Sequence, residues 1–282
     1  MSKFPGFHCL VRGIDGAEGP LTTRDNRIFM VSPGRGEVLR IHEDGRSEVF
    51  ANTGGKPAGL QLHRNGEIWV ADMAKGILKI TPDGGVIPVV SRFDGEPIRG
   101  CNDLIFDSLG NLYFTAPAGS NGSPGGAVGE VFFHSAAGET IRLGAGFAFP
   151  NGIAVDQKDG LLVFAETSTH KLLAWDLRGP GQATRFRTWA TLPHADEKAG
   201  GDGMDFDANG HLVATAYSRG TLEVYAGSGN HLKTIPLPFK RCSNVHFFND
   251  GSGRLLITEH ENHALWTHDY GVPGQPQFGW GL

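Results

Sequence analysis

Short runs of alternating apolar and polar residues recur along the chain with the same punctuation. NGIAVDQKDGLLVFAET from Asn151, NDLIFDSLGNLYFTAP from Asn102 and DGMDFDANGHLVATAY from Asp202 each open on a polar residue. A strand of period two follows, then an Asp five positions on, an Asx/Gly turn and a second apolar strand. Weaker copies are AGLQLHRNGEIWVAD from Ala58, NVHFFNDGSGRLLITEH from Asn244 and EGPLTTRDNRIFMVS from Glu18. The six starting positions are thus 18, 58, 102, 151, 202 and 244, separated by 40, 44, 49, 51 and 42 residues.

That period suits a four-stranded antiparallel blade. Third strands are expected within 76–84, 129–138, 171–179 and 221–229, and fourth strands at 47–50, 86–90, 140–143, 186–189 and 232–235. Asp83-Gly84 and Asn209-Gly210 are hairpin tips. No stretch of helical length carries a 3.6-residue stripe. The last repeat supplies strands at 245–248, 255–258 and 264–267 and then runs into a Pro/Gly-rich tail, one strand short. A strand-like piece, Phe7–Val11, precedes the first repeat without a blade of its own. Placed on the last blade, it closes the ring and removes two open sheet edges. The expected fold is all-β, a six-bladed β-propeller, with residues 1–282 forming one domain.

Composition adds limits. The chain has 25 Lys and Arg against 30 Asp and Glu, a formal charge of −5, which excludes a broadly basic surface for nucleic acid or an anionic membrane. Its 42 glycines, without a collagen period, agree with many tight turns. Three cysteines, Cys9, Cys101 and Cys242, form no CxxC pair, and Cys101 and Cys242 read as small apolar core residues. With no signal-like or membrane-spanning apolar run, the expected setting is cytoplasmic, without membrane or nucleic-acid partners.

The first strands of a propeller run side by side around a channel, so equivalent positions form a ring at one end. Here that ring is Glu18, Ala58, Asn102, Asn151, Asp202 and Asn244. Five of the six carry side-chain oxygens and none is Cys or His, a hard-oxygen set that favours Ca²⁺. Mg²⁺, Mn²⁺ and Zn²⁺ are the other ions to consider, though the set does not look like structural zinc. The competing reading is that Asn and Asp merely cap the turns into each strand. It leaves Glu18 unexplained.

AEGP at 17–20, RGCNDLIFD at 99–107, FPNGIAVD at 149–156 and GDGMDFD at 201–207 occur in the order and spacing of a known family. With them the chain resembles, along essentially its whole length, the SMP-30/gluconolactonase/luciferin-regenerating-enzyme family of six-bladed, calcium-dependent hydrolases. The resemblance implies that Glu18, Asn151 and Asp202 hold the metal, with Asn102 beside it as a further ligand or a substrate contact. It also implies a small-molecule substrate and offers Arg99 as the residue that grips sugar-lactone hydroxyls. Some sugar lactonases have R-x-N where this chain has Arg99-Gly100-Cys101-Asn102, which weakens the sugar-acid assignment.

The expected reaction is the opening of a lactone by water attack on a metal-polarised carbonyl, with Asp202 as base or nucleophile and Asn102 as hydrogen-bond donor. Phe149 would close one wall of the pocket. The alternatives are an organophosphate or aryl-ester hydrolase using the same site, and a calcium-binding propeller without activity. Two loops, 116–129 and 192–201, are long for hairpin connections and are expected to set substrate choice. HENH at 260–263 is not HExxH, and both His260 and His263 are expected in a loop or at the surface, with His260 within reach of the funnel rim. No G-x-S-x-G elbow occurs, which disfavours a serine esterase.

Overall fold

The computed structural model describes residues 4–118, 128–156, 160–193 and 200–280. Most of both loops named above lies outside the described residues. Six four-stranded antiparallel sheets stand where the six repeats predict them, the first five laid down in chain order. Their first strands are Glu18–Thr22, Pro57–Leu62, Leu104–Phe106, Pro150–Asp156, Gly201–Phe206 and Cys242–Phe247. Each packs against the first strands of the blades before and after it, so the ring is complete. The fold is an all-β, six-bladed propeller.

Closure also follows the expected route. The sixth sheet takes Phe7–Val11 as its outer strand, antiparallel to Ala264–Asp269, with Phe7 opposite His268 and Cys9 opposite Trp266. The Phe7 ring stacks on His268 at 3.9 Å between centroids, adding a side-chain hold to the backbone ladder.

Burial falls from the channel outward and explains the sequence pattern. The first strand Pro57–Leu62 is buried at every position, whereas the fourth strand His231–Pro236 is exposed at five of six. Apolar side chains meet mainly between neighbouring blades. One cluster joins Val163 and Leu172 of the fourth blade to Phe206 and Leu212 of the fifth; another joins Phe29 and Val31 of the first to Leu60 and Val70 of the second. Each fully buried side chain of this size stabilises the fold by about 1.5–3 kcal/mol. Cys101 and Cys242 lie in these clusters, fully buried as expected, and burial pushes their thiols up, away from the reactive thiolate.

The Asp five positions into the repeats has a local task. Asp107 accepts from the backbone N–H groups of Leu109 and Asn111, and Asp207 from those of Asn209 and His211. These are Asx caps of the turn from first to second strand, at the end of the channel opposite the ring. Turn capping therefore explains this position of the repeat.

Two features go beyond the repeat pattern. A small hairpin, Arg92–Phe93 with Glu96–Pro97, stands between the second and third blades. The tail crosses the far end of the channel: Gln275 donates to the Val155 carbonyl at 2.6 Å, Gln277 to the Asp205 carboxylate, and Arg24 to the Gly279 carbonyl at 2.8 Å. Among the described residues no helix is long and apolar enough to cross a membrane.

Candidate functional site

Three backbone devices aim side chains at the channel mouth. Gly16, Gly100 and Phe149 have left-handed φ values of 67°, 73° and 65°, each two residues before Glu18, Asn102 and Asn151. In five blades the pairing of first with second strand also slips at this end, as between Glu18 and Leu21, or Gly201 and Met204. Such bulges re-aim a side chain that regular pairing would keep in the sheet. Finally, glycine follows the ring residue in four repeats. A Cβ on Gly19 would lie 2.5 Å from the Ala58 carbonyl oxygen and one on Gly59 2.6 Å from Asp103 Oδ1. On Gly152 it would collide with the Asp202 carbonyl oxygen, and on Gly203 with the Asn244 side chain. The missing side chains let the six backbones close to a narrow mouth.

At that mouth Glu18 and Asp202 stand beside one another, half-buried. Glu18 Oε2 accepts from the Gly19 N–H at 3.1 Å, and the Asn244 side chain bonds the same carboxylate. Asn151 bonds Asp202. Asn102 occupies its ring position half-buried, its N–H on the Thr115 carbonyl, and its side chain has no hydrogen bond among the described residues. Arg99 is exposed and makes no hydrogen bond or ion pair among the described residues. Phe149 sits half-buried at the rim, its carbonyl taking the Thr167 N–H at 3.0 Å, while Phe147 packs into the core.

The orientation of Asn151 follows from proton bookkeeping. The Thr167 hydroxyl donates to the Gly201 carbonyl at 2.6 Å, because a carbonyl can only accept. Its oxygen is then the acceptor for Asn151 Nδ2 at 3.2 Å. The amide nitrogen therefore faces Thr167, and Asn151 Oδ1 is left buried without a hydrogen-bond donor among the described residues. A buried oxygen without a donor, on a side chain that bonds a carboxylate, fits a cation as its partner.

The acids repeat that message. Burial, then the neighbouring carboxylates, push Asp202 well above the ordinary range, and burial does the same to Glu18. One layer deeper, burial raises both Asp103 and Asp205 to about 7. Each of these bridges two blades: Asp103 accepts from Leu104 N–H and, at 3.3 Å, from Ile153 N–H, and Asp205 from Phe206 N–H and, at 3.2 Å, from Phe247 N–H. Asp205 inside its strand and Asp103 just before one offered no sign in the sequence of a place in the acidic channel. Among the described residues no three His, Cys, Asp or Glu side chains form a group able to hold a metal. The ring contributes two carboxylates, and its remaining oxygens are amides, a donor set that fits a hard cation such as Ca²⁺.

His260 lies, as expected, in the turn after the strand Arg254–Glu259 and reaches the rim, where it is half-buried. Its Nε2 lies 3.6 Å from Glu18 Oε1, and its Nδ1 pairs with the Tyr217 hydroxyl at 3.0 Å. Burial, then Arg241 and His263, lower its pKa to about 4. The reach to the rim was foreseen from the position of the last blade; the contact with Glu18 was not. His263 is half-exposed near Asp15, as a surface residue would be.

Comparison with known proteins agrees with this geometry. Residues 16–261 match the family model described as the SMP-30/gluconolactonase/LRE-like region. The chain is 34% identical to diisopropyl-fluorophosphatase of Loligo vulgaris, across 97% of this chain and 95% of that one. It is 25% identical to lactonase drp35 of Staphylococcus haemolyticus (strain JCSC1435), over 85% of this chain and 77% of that protein. Among solved structures, a gluconolactonase from Xanthomonas campestris superposes with TM-score 0.80 at 23% identity, covering 95% of this chain and 89% of that one. The calcium-binding protein regucalcin from Agrobacterium tumefaciens str. C58 gives 0.83 at 21%, covering 99% and 98%. The two structures speak to the fold, whereas the family match and the squid relative extend over the ring residues themselves: this chain belongs to the SMP-30/gluconolactonase/LRE-like family.

Proposed function

We propose that the protein is a metal-dependent hydrolase that opens a lactone or related cyclic ester over the ring of Glu18, Asn102, Asn151 and Asp202. The observation that carries this reading is the buried Asn151 Oδ1, without a donor among the described residues, on a side chain that bonds Asp202, which in turn neighbours Glu18. A divalent cation there, Ca²⁺ by the chemistry of the donors, would supply the charge that polarises a substrate carbonyl. Glu18, Asn151 and Asp202 would hold it, with Asn102 as fourth ligand or as amide donor to the substrate. Asp202 then takes the proton of the attacking water, or attacks the carbon itself, since its carboxylate is half-buried and faces the mouth. Phe149 supplies an apolar wall. Arg99, exposed and without a hydrogen bond or ion pair among the described residues, gives no fixed grip on a carboxylate, so the reading favours an uncharged substrate.

A second reading has its own support. The relative matched over nearly the whole of both chains is named for a fluorophosphate, so a phosphoryl oxygen could take the carbonyl's place with the same residues around it. A metal-defined hydrolysis screen separates the two: aldonolactones, simple γ- and δ-lactones, an aryl ester and a phosphorofluoridate, each with and without added calcium. Asp202→Asn is expected to lower turnover of the best substrate by at least about 10²-fold. Undiminished hydrolysis by protein verified as metal-free would overturn the mechanism, and calcium binding without turnover of any ester would make the chain a binding protein.

A further inference from the structure

Three residues far apart in sequence meet on the mouth side of the fifth and sixth blades. Tyr217 follows the strand Leu212–Ala216, Arg241 precedes Cys242–Phe247, and His260 follows Arg254–Glu259. Arg241 Nε donates to the Tyr217 hydroxyl at 3.2 Å, that hydroxyl pairs with His260 Nδ1 at 3.0 Å, and His260 Nε2 faces Glu18 Oε1 across 3.6 Å. The backbone braces the set, with the His260 N–H on the Arg241 carbonyl at 3.0 Å and the Lys240 N–H on the Glu261 carboxylate at 2.7 Å. Arg241 itself takes a left-handed φ of 59°, a conformation that costs a non-glycine residue energy and persists where surroundings enforce it.

The direction of the protons follows from what each group can do. A guanidinium only donates, so the phenol oxygen accepts from Arg241 and its own proton is free for His260 Nδ1. When Nδ1 accepts that proton it carries no hydrogen of its own, and the imidazole proton lies on Nε2. That atom is buried with no partner in good hydrogen-bond geometry among the described residues, and it lies near both the Ala17 backbone and, at 3.6 Å, the Glu18 carboxylate. At 3.6 Å the contact is longer than a hydrogen bond. It is within reach of a charge–dipole attraction.

We propose that Arg241 and Tyr217 are positioning residues which, by fixing the proton of His260 on Nε2, orient the Glu18 carboxylate for the cation. This rests on the reading of Glu18 as a metal ligand and adds the device that aims it. It also accounts for an arginine and a tyrosine in loops that the blade pattern leaves unconstrained.

The test uses full-length protein labelled with ¹⁵N-histidine, with the His260 signals identified by their loss in His260→Asn. In metal-free wild type, long-range ¹H–¹⁵N spectra should show a protonated Nε2 and an unprotonated Nδ1. Tyr217→Phe and Arg241→Met should each disturb that preference and weaken calcium binding, measured by calorimetry, by about 3- to 10-fold. Arg241→Lys, which keeps a donor, should retain most of both. A proton on Nδ1 in wild type, or wild-type calcium affinity in both folded variants, would overturn the proposal. Should wild type bind no calcium while Nε2 is protonated as expected, the metal reading fails and, with it, the role toward the cation. Arg241 is exposed, so Arg241→Met keeps the test open if the tyrosine variant misfolds.

Discussion

Asn151 illustrates how much of this site is set by residues that never touch a ligand. Its amide is turned by Thr167, whose hydroxyl is committed in turn to the Gly201 carbonyl. Thr167→Val keeps the side-chain shape and removes the acceptor, so the amide can rotate and present nitrogen where oxygen was. Calcium affinity should fall by about 10-fold or more, as for other partners that orient metal ligands; an unchanged calorimetric titration would mean that the Asp202 contact alone holds the amide. The period of the repeats was enough to bring Glu18, Asn102, Asn151 and Asp202 to one register. It put His260 within reach of the rim but could not give its contact with Glu18, which exists because the sixth blade abuts the first. Nor could it place Arg99, because loop residues between a hairpin and a strand carry no periodic signal.

Strands and turns were readable for a plain reason: alternation and Asx caps are local. The bulges at the mouth ends of the first strands were not, since a one-residue slip depends on the partner strand. The glycines after the ring residues join the two levels. Gly152→Ala would set a Cβ against the Asp202 carbonyl oxygen of the next blade, with backbone on both sides and no flexible side chain to yield. A destabilisation of about 1–3 kcal/mol is expected, together with weaker calcium binding as the two strands part. Chemical denaturation and calorimetry on the same variant check both, and a stable variant with altered affinity would locate the effect in the mouth alone. The hairpin at Arg92–Phe93 and Glu96–Pro97 escaped the sequence because two-residue strands are too short to alternate.

The whole molecule carries an acidic channel, and that gives its stability a pH dependence of definite sign. Glu18, Asp103, Asp202 and Asp205 all have raised pKa values, Asp103 and Asp205 to about 7. An acid raised by folding stabilises the folded state while it is protonated, and that contribution disappears as pH rises through the folded-state value. The buried His246 and His260 are lowered, to about 3 and 4, and oppose this below the ordinary histidine range. Above about pH 6.5 the unfolded chain's histidines are mostly neutral and the acids decide. Metal-free protein should therefore melt at lower temperature at pH 8 than at pH 6.5. Calcium should reduce or reverse the difference, because binding favours the ionised carboxylates and releases protons. Melting curves with and without chelator measure this, and a melting temperature that climbs with pH in chelator would contradict the assignment of the acids.

The seam of the ring has one more implication, for the order in which the molecule can be made. Phe7–Val11 is made before all six repeats, yet its partner strand, Ala264–Asp269, belongs to the sixth. Glu18 and Asn244 face each other from the blades on either side of that seam. A nascent chain thus has five units that can pack on one another in sequence, and an unfinished mouth. The strands of the sixth blade complete the ring and its mouth together. Anything bound between Glu18 and Asn244 would fasten the two ends of the molecule to each other like a clasp.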